Sequence, residues 1–182
     1  MDAPKIIERR EKKLSKWLTV IERDVLFSDE VEKETYYSVR PYDYVSILAI
    51  TDDQRIPLVK QYRPVLEREN IEFPGGLIDT NESSEKTALR ELREEAGLIA
   101  SNVKSLGILC PDPGRLENRF HCFFSNNTKA DPNIIIEKRI NLIWVDFEEL
   151  REMVLDGRFC SSLQIALLAL ASLKGHIRNL HI

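Results

Sequence analysis

"GGLIDTNESSEKTALRELREEAGL", residues 75–98, begins on two glycines just after Pro74 and ends on Gly97-Leu98. Near its end Glu91, Glu94 and Glu95 crowd together, with Arg90 and Arg93 among them. Ser83 or Ser84 can cap a helix running to about Ala96, where Gly97 stops it. On a wheel of about 100° per residue, Ala88, Leu92, Ala96 and Leu89 span roughly 0–100° and form the buried stripe. Glu94, Glu91 and Glu95 fall near ~240°, ~300° and ~340°, one acidic strip beside it. Glu91 and Glu95 are four apart, a spacing at which like charges repel and weaken a helix. Arg90, four residues before Glu94, relieves part of this. A charge run is ordinarily just a solvated face, so the strip alone decides nothing. A divalent cation would offset the remaining repulsion. Carboxylates without histidine or cysteine suit a hard cation such as Mg²⁺ or Mn²⁺. The paired glycines let backbone approach a ligand closely.

Outward from this helix the chain reads mostly as strands. "DYVSILAIT" is a strand buried on both faces, "IPLVKQYR" the next, and "IEFPGG" a short one closed by Pro74, Gly75 and Gly76. "VKSLGILC" and "RFHCFF" flank the turn-rich "PDPGRLEN", and "INLIWV" follows. Asp146 caps "FEELREMVLDG", with Glu149 completing a capping box. A last helix runs from about Ser161 to Lys174. From Trp17 to Arg40 the alternation in "WLTVIERDVLF" and "TYYSVRP" predicts antiparallel strands. The first 13 residues are polar, which predicts a loosely ordered start. Strands do not simply alternate with helices, so the class is α+β, with a mixed sheet between helices.

Composition narrows the function. The 182 residues, 43% hydrophobic and 31% charged, suit one medium domain with an arm. A net charge of -4 argues against nucleic acid as partner. The longest apolar stretch, "LQIALLALASL", is well below the ~20 residues that span a bilayer, so no membrane partner is expected. Three cysteines, Cys110, Cys122 and Cys160, form no C-x-x-C pair and point to a reducing cytoplasm. Cys110 and Cys122 read as core residues. The charged start lacks the apolar run expected of a signal peptide. His176 and His181 read as surface or tail residues.

The spacing back from the glutamates is the specific signal. Gly76, Glu82, Arg90-Glu91-Leu92, Glu94-Glu95 and Gly97-Leu98 resemble the Nudix box, G-x5-E-x7-R-E-U-x-E-E-x-G-U, at all nine specified positions. A chance match at a given start is on the order of one in a billion. The resemblance implies a Nudix fold, a mixed β-sheet sandwiched between helices (α/β/α), over residues 43–182. It implies an N-terminal antiparallel β arm over residues 1–42, exchanged in a homodimer. By the same resemblance Glu91, Glu94, Glu95 and the Gly75 carbonyl hold Mg²⁺ (or Mn²⁺), and Glu82 and Arg90 orient them.

"QYR" at residues 61–63, "EFPGGLID" at 72–79 and Pro113, 15 residues past Leu98, resemble the ADP-ribose and ADP-sugar pyrophosphatase branch. That branch implies hydrolysis of ADP-ribose to AMP and ribose 5-phosphate. Arg63 then contacts the diphosphate or terminal ribose, Glu72 the sugar, and Trp17 and Tyr36 stack the base. The catalytic base is Glu137, with Glu94 as its rival. Two alternatives stay open. One is a Nudix hydrolase of another nucleoside diphosphate, such as GDP-mannose or NADH. The other is a non-catalytic module that senses ADP-ribose.

Overall fold

The structure, a computed structural model, describes residues 3–28 and 32–177. It divides into two compact units, Met1–Asp43 with Cys110–Arg119, and Tyr44–Leu109 with Phe120–Ile182. His181 lies outside the described residues.

The first unit is an antiparallel meander of β1 (Lys5–Lys13), β2 (Thr19–Leu26) and β3 (Glu34–Arg40). From Lys5 to Lys13 the polar start is therefore not loose. Almost every β1 side chain is exposed, so no hydrophobic pattern announces the strand. Backbone pairing from Lys13↔Thr19 to Lys5↔Leu26 holds it. Arg10 adds a fork onto Asp24, with bonds of 3.1 and 3.0 Å, and a bond to Glu22. The turn before Arg119 is tied to β3: Val39 N–H donates to the Arg115 carbonyl, and Glu117 N–H to that of Val39. The Glu117 carboxylate accepts from Arg23, Ser38 and Arg40.

In the second unit β4 (Tyr44–Ala49) runs parallel to β9 (Phe120–Ser125), which pairs antiparallel with β8 (Lys104–Leu109). This is the mixed sheet. Side chains alternate across a strand. Val45, Ile47, Ala49 and Phe123 therefore pack on Ala88, Leu92 and Ala96 of α1 (Ser84–Ala96). Leu48, Ile50, Cys122 and Phe124 face the other way, among Leu167, Leu168 and Ala171 of α3 (Ser162–Leu173). Helices thus cover both faces. The helix α2 (Phe147–Leu155) adds Leu150 and Met153 to the α3 side, and its Asp146–Glu149 capping box is formed.

A second sheet runs β11 (Asn141–Val145), β5 (Ile56–Arg63), β6 (Arg68–Glu72). The strand expected at "IEFPGG" thus starts earlier and ends before Phe73. A small ladder of β7 (Leu98–Ala100) and β10 (Thr128–Ala130) was not expected, since three residues are too few to show a period. Cys122 is buried, but Cys110 is exposed and lies outside the strands. His176 is half-buried, stacked on Phe124 at 4.8 Å, rather than a free tail residue. Among the described residues, no helix is long and apolar enough to cross a membrane.

Candidate functional site

The site is built where the Phe73–Gly76 turn meets α1. Val45 N–H donates to the Gly76 carbonyl and Ile47 N–H to that of Pro74, each at 2.9 Å. The turn therefore lies along β4. From the other side, the Gln164 side-chain oxygen accepts from Phe73 N–H at 3.2 Å and from the Ser46 hydroxyl at 3.1 Å. Gly75 is required by close approach to backbone, and Gly76 leaves room for the Glu91 carboxylate where it stands. A Cβ on Gly75 would stand 2.2 Å from the Val45 carbonyl oxygen, and one on Gly76 2.3 Å from Glu91 Oε1.

Ser83 caps α1 and Gly97, at φ 67°, ends it in the left-handed conformation. Thus oriented, Glu95 is 4% exposed, and the bond the structure gives its carboxylate is from Gly75 N–H, at 2.8 Å. Burial pushes its carboxyl up to about 8, against the pull of that N–H, and Glu91 and Glu137 add repulsion. Burial also raises Glu91, although Arg90 opposes it. Glu94 stays half exposed.

Arg90 gathers the outer carboxylates. It donates to Glu82 at 3.1 Å, Glu91 at 2.8 Å and Glu94 at 3.0 Å. Glu82 is held below its ordinary value, first by Arg90 and also by Thr87. Glu137 N–H donates to the Glu94 carbonyl at 3.2 Å. Its charge is felt by both Glu91 and Glu95.

The register of the β5–β6 hairpin sets Arg63 opposite Arg68 and Glu72 opposite Val59, and the long Arg63 side chain reaches along the ladder to Glu72. Arg63 Nε and Nη2 donate to the two Glu72 oxygens at 2.8 and 2.6 Å. Asn70 donates to Glu72 as well. Burial pushes the Glu72 carboxyl up, but Arg63 and Asn70 outweigh it and hold it below its ordinary value. The Arg63 charge also reaches Glu95.

Trp17 and Tyr36 belong to the first unit. Trp17 is 51% exposed, edge-on to Tyr42, with the Lys16 ammonium 4.4 Å from its ring centroid. Tyr36 is 46% exposed and tilted against Phe27. It lines a cavity of about 410 Å³ with Phe27, Tyr37, Arg23 and the turn around Pro113.

The residues fit a hard divalent cation. The donors are all oxygen. Glu95 is a buried carboxylate with no cationic side chain bonded to it, a costly arrangement that an added cation would relieve. Among the described residues, no three carboxylates, histidines or cysteines already stand as a closed cage. Arg90 instead holds Glu91 and Glu94.

Sequence reasoning missed Ser46 and Gln164, which hold the Phe73–Gly76 turn, and the Arg93–Asp131 pair. Each acts through a partner far along the chain, so no local spacing signals it.

Residues 41–161 match the family model described as the NUDIX domain. An ADP-ribose pyrophosphatase of Bacillus subtilis is 35% identical over 112 residues, 62% of this chain. The chain spans only 58% of that relative's length. The CMP-5'-(N-acetyl-N-hydroxy-3-aminopropyl)phosphonate hydrolase of Streptomyces rubellomurinus is 30% identical over 165 residues, 88% of this chain and 79% of that one. A solved structure described as an ADP compounds hydrolase matches with a TM-score of 0.80, over 97% of this chain and 98% of that one. At 22% identity that likeness shows the fold.

Proposed function

The chain belongs to the NUDIX family, and on that premise we propose that it hydrolyses the pyrophosphate bond of a nucleoside diphosphate sugar. The substrate proposed is ADP-ribose, giving AMP and ribose 5-phosphate. The observation that carries this is the buried Glu95 carboxylate, bonded to Gly75 N–H, beside Glu91 and within reach of the Arg63 charge. It supports a place where cation and diphosphate meet.

Glu91, Glu94, Glu95 and the Gly75 carbonyl would hold Mg²⁺ or Mn²⁺, which supplies charge neutralisation and an acidified water. Glu137 takes the proton of the attacking water as its oxygen bonds to one phosphorus in line. The bridging P–O bond breaks, and the departing phosphate keeps that electron pair. Arg63 meets the charge on the diphosphate. Its Nη1 edge is not engaged by Glu72. Glu72 accepts from a sugar hydroxyl. Glu94 is the second candidate base, but Arg90 already bonds its carboxylate. Glu82 and Arg90 orient the metal-binding glutamates. Trp17 and Tyr36 stack the base, a role supported by their exposed rings. The exposed Ile6, Ile7 and Tyr37 of the first unit support a homodimer made through the arm.

The likeness to a hydrolase of a CMP compound favours a second reading in which the base is cytosine. A phosphate-coupled assay over ADP-ribose, GDP-mannose, NADH and a CMP conjugate, with Mg²⁺ and with Mn²⁺, separates these. ADP-ribose should show the highest kcat/KM. A higher value for another compound overturns the substrate. Binding of ADP-ribose without turnover of any compound makes the chain a sensing module.

A further inference from the structure

Residues 131–140 join β10 to β11 without helix or strand. This connection carries Glu137, six residues from its start. Six residues of chain can reach roughly 20 Å, so nothing about the loop's length alone brings Glu137 to Glu91 and Glu95.

The C-terminal turn of α1 grips the loop at both places that matter. At its root, Asp131 N–H donates to the Gly97 carbonyl at 2.8 Å, and Arg93 Nε donates to Asp131 Oδ2 at 2.7 Å. The other Asp131 oxygen accepts from Asn133 N–H at 3.0 Å. Ile134 and Ile136 then lie over Gly97. Further along, Glu137 N–H donates to the Glu94 carbonyl at 3.2 Å. Arg93 and Glu94 are neighbours in sequence, so one helical turn fixes both the root and Glu137.

The Arg93–Asp131 pair is not an ordinary surface ion pair. Exposed pairs contribute little. Here the Asp131 side chain is 4% exposed and that of Arg93 52%. Without Arg93 the sheltered Asp131 carboxylate would lose its cation and keep only the Asn133 N–H, which weakens the root of the loop. Arg93 also stands at the unspecified position of the motif, between Leu92 and Glu94. The motif does not call for it.

We propose that Arg93 and Asp131 are positioning residues whose ion pair roots the 131–140 loop on α1 and so sets where Glu137 stands against Glu91 and Glu95. This rests on the reading of Glu137 as the base.

The test uses Arg93→Ala, Arg93→Lys, Glu137→Gln and the Arg93→Ala/Glu137→Gln double variant in the full chain. Arg93→Ala should lower kcat about tenfold with KM within about twofold. Arg93→Lys, which keeps one charged donor, should recover most of the loss. The double variant should be no slower than Glu137→Gln alone, because Arg93 acts through Glu137. Hydrogen exchange on metal-free protein should show faster exchange across 131–140 in Arg93→Ala, with β4 and β9 unchanged. Wild-type exchange in the loop overturns the proposal, as does an equal further loss in the double variant. If Glu137→Gln keeps wild-type kcat, the base reading fails instead. The loop exchange of Arg93→Ala then decides the clamp alone: faster exchange keeps it, unchanged exchange overturns it.

Discussion

Two sheltered carboxylates treat their charge in opposite ways. Glu117, in the first unit, meets Arg23, Ser38 and Arg40. Burial pushes its carboxyl up, yet these partners bring it down to about 2. Glu95, in the second unit, meets one backbone N–H and stands beside further acids, and its carboxyl rises to about 8. The same residue type is neutralised from within the chain in one place and left for something outside it in the other. A neutralised carboxylate contributes to folding. One left unpaired weakens folding, which is what the proposed role of Glu95 as a cation ligand would account for.

Exchanging each glutamate for glutamine should therefore break the two regions differently. Glu95→Gln should lower kcat by about a thousandfold, since a cation ligand is worth several kcal/mol of transition-state stabilisation. Its melting temperature without metal should hold or rise, because the buried carboxyl is mostly protonated near neutrality and glutamine resembles it. Glu117→Gln should do the reverse to stability, lowering the melting temperature by a few degrees as Arg23 and Arg40 lose their counter-charge. Thermal melts and steady-state kinetics on both variants check this. A Glu95→Gln variant with normal turnover breaks the contrast.

The smaller effect is in pH. The folded value of Glu95 lies above its ordinary 4.5. The folded protein then holds a proton that the unfolded chain releases. Its contribution is fully present below about 4.5 and is lost as pH rises through about 8. For Glu117 the folded value is depressed. Its contribution is present above about 4.5 and is lost as pH falls toward about 2. Melting differences between wild type and each glutamine variant, taken without metal, should slope in opposite directions. Two slopes of one sign would contradict the assignment.

The site was legible in the sequence where its logic is local. Ser83, Gly97 and the three glutamates all lie within one helix and its caps, and the spacing to Gly76 and Glu82 spans one turn. The wheel put Glu95 beside the apolar stripe. The structure buries it, because β4 and the Phe73–Gly76 turn cover that edge of the helix. The Arg63–Glu72 pair was hidden, since the register sets Arg63 opposite Arg68 and only the reach of its side chain along the hairpin brings it to Glu72. Gln164 reaches the turn from α3 across 91 residues, and Asp131 reaches Arg93 across 38. Neither distance leaves a mark in composition or period. The β1 strand was missed for a related reason: pairing with β2 and the Arg10–Asp24 fork hold it, while its side chains stay polar.

As proposed, Glu95 is a cation ligand kept protonated until the cation arrives. Calorimetric titration of the metal-free protein with Mn²⁺ at neutral pH, in two buffers of different ionisation enthalpy, tests it directly. Binding should release about one proton per event, because a ligating carboxyl must give up its proton, and Glu95→Gln should abolish that release. Binding without proton release in the wild type, or the same release in Glu95→Gln, would contradict the account.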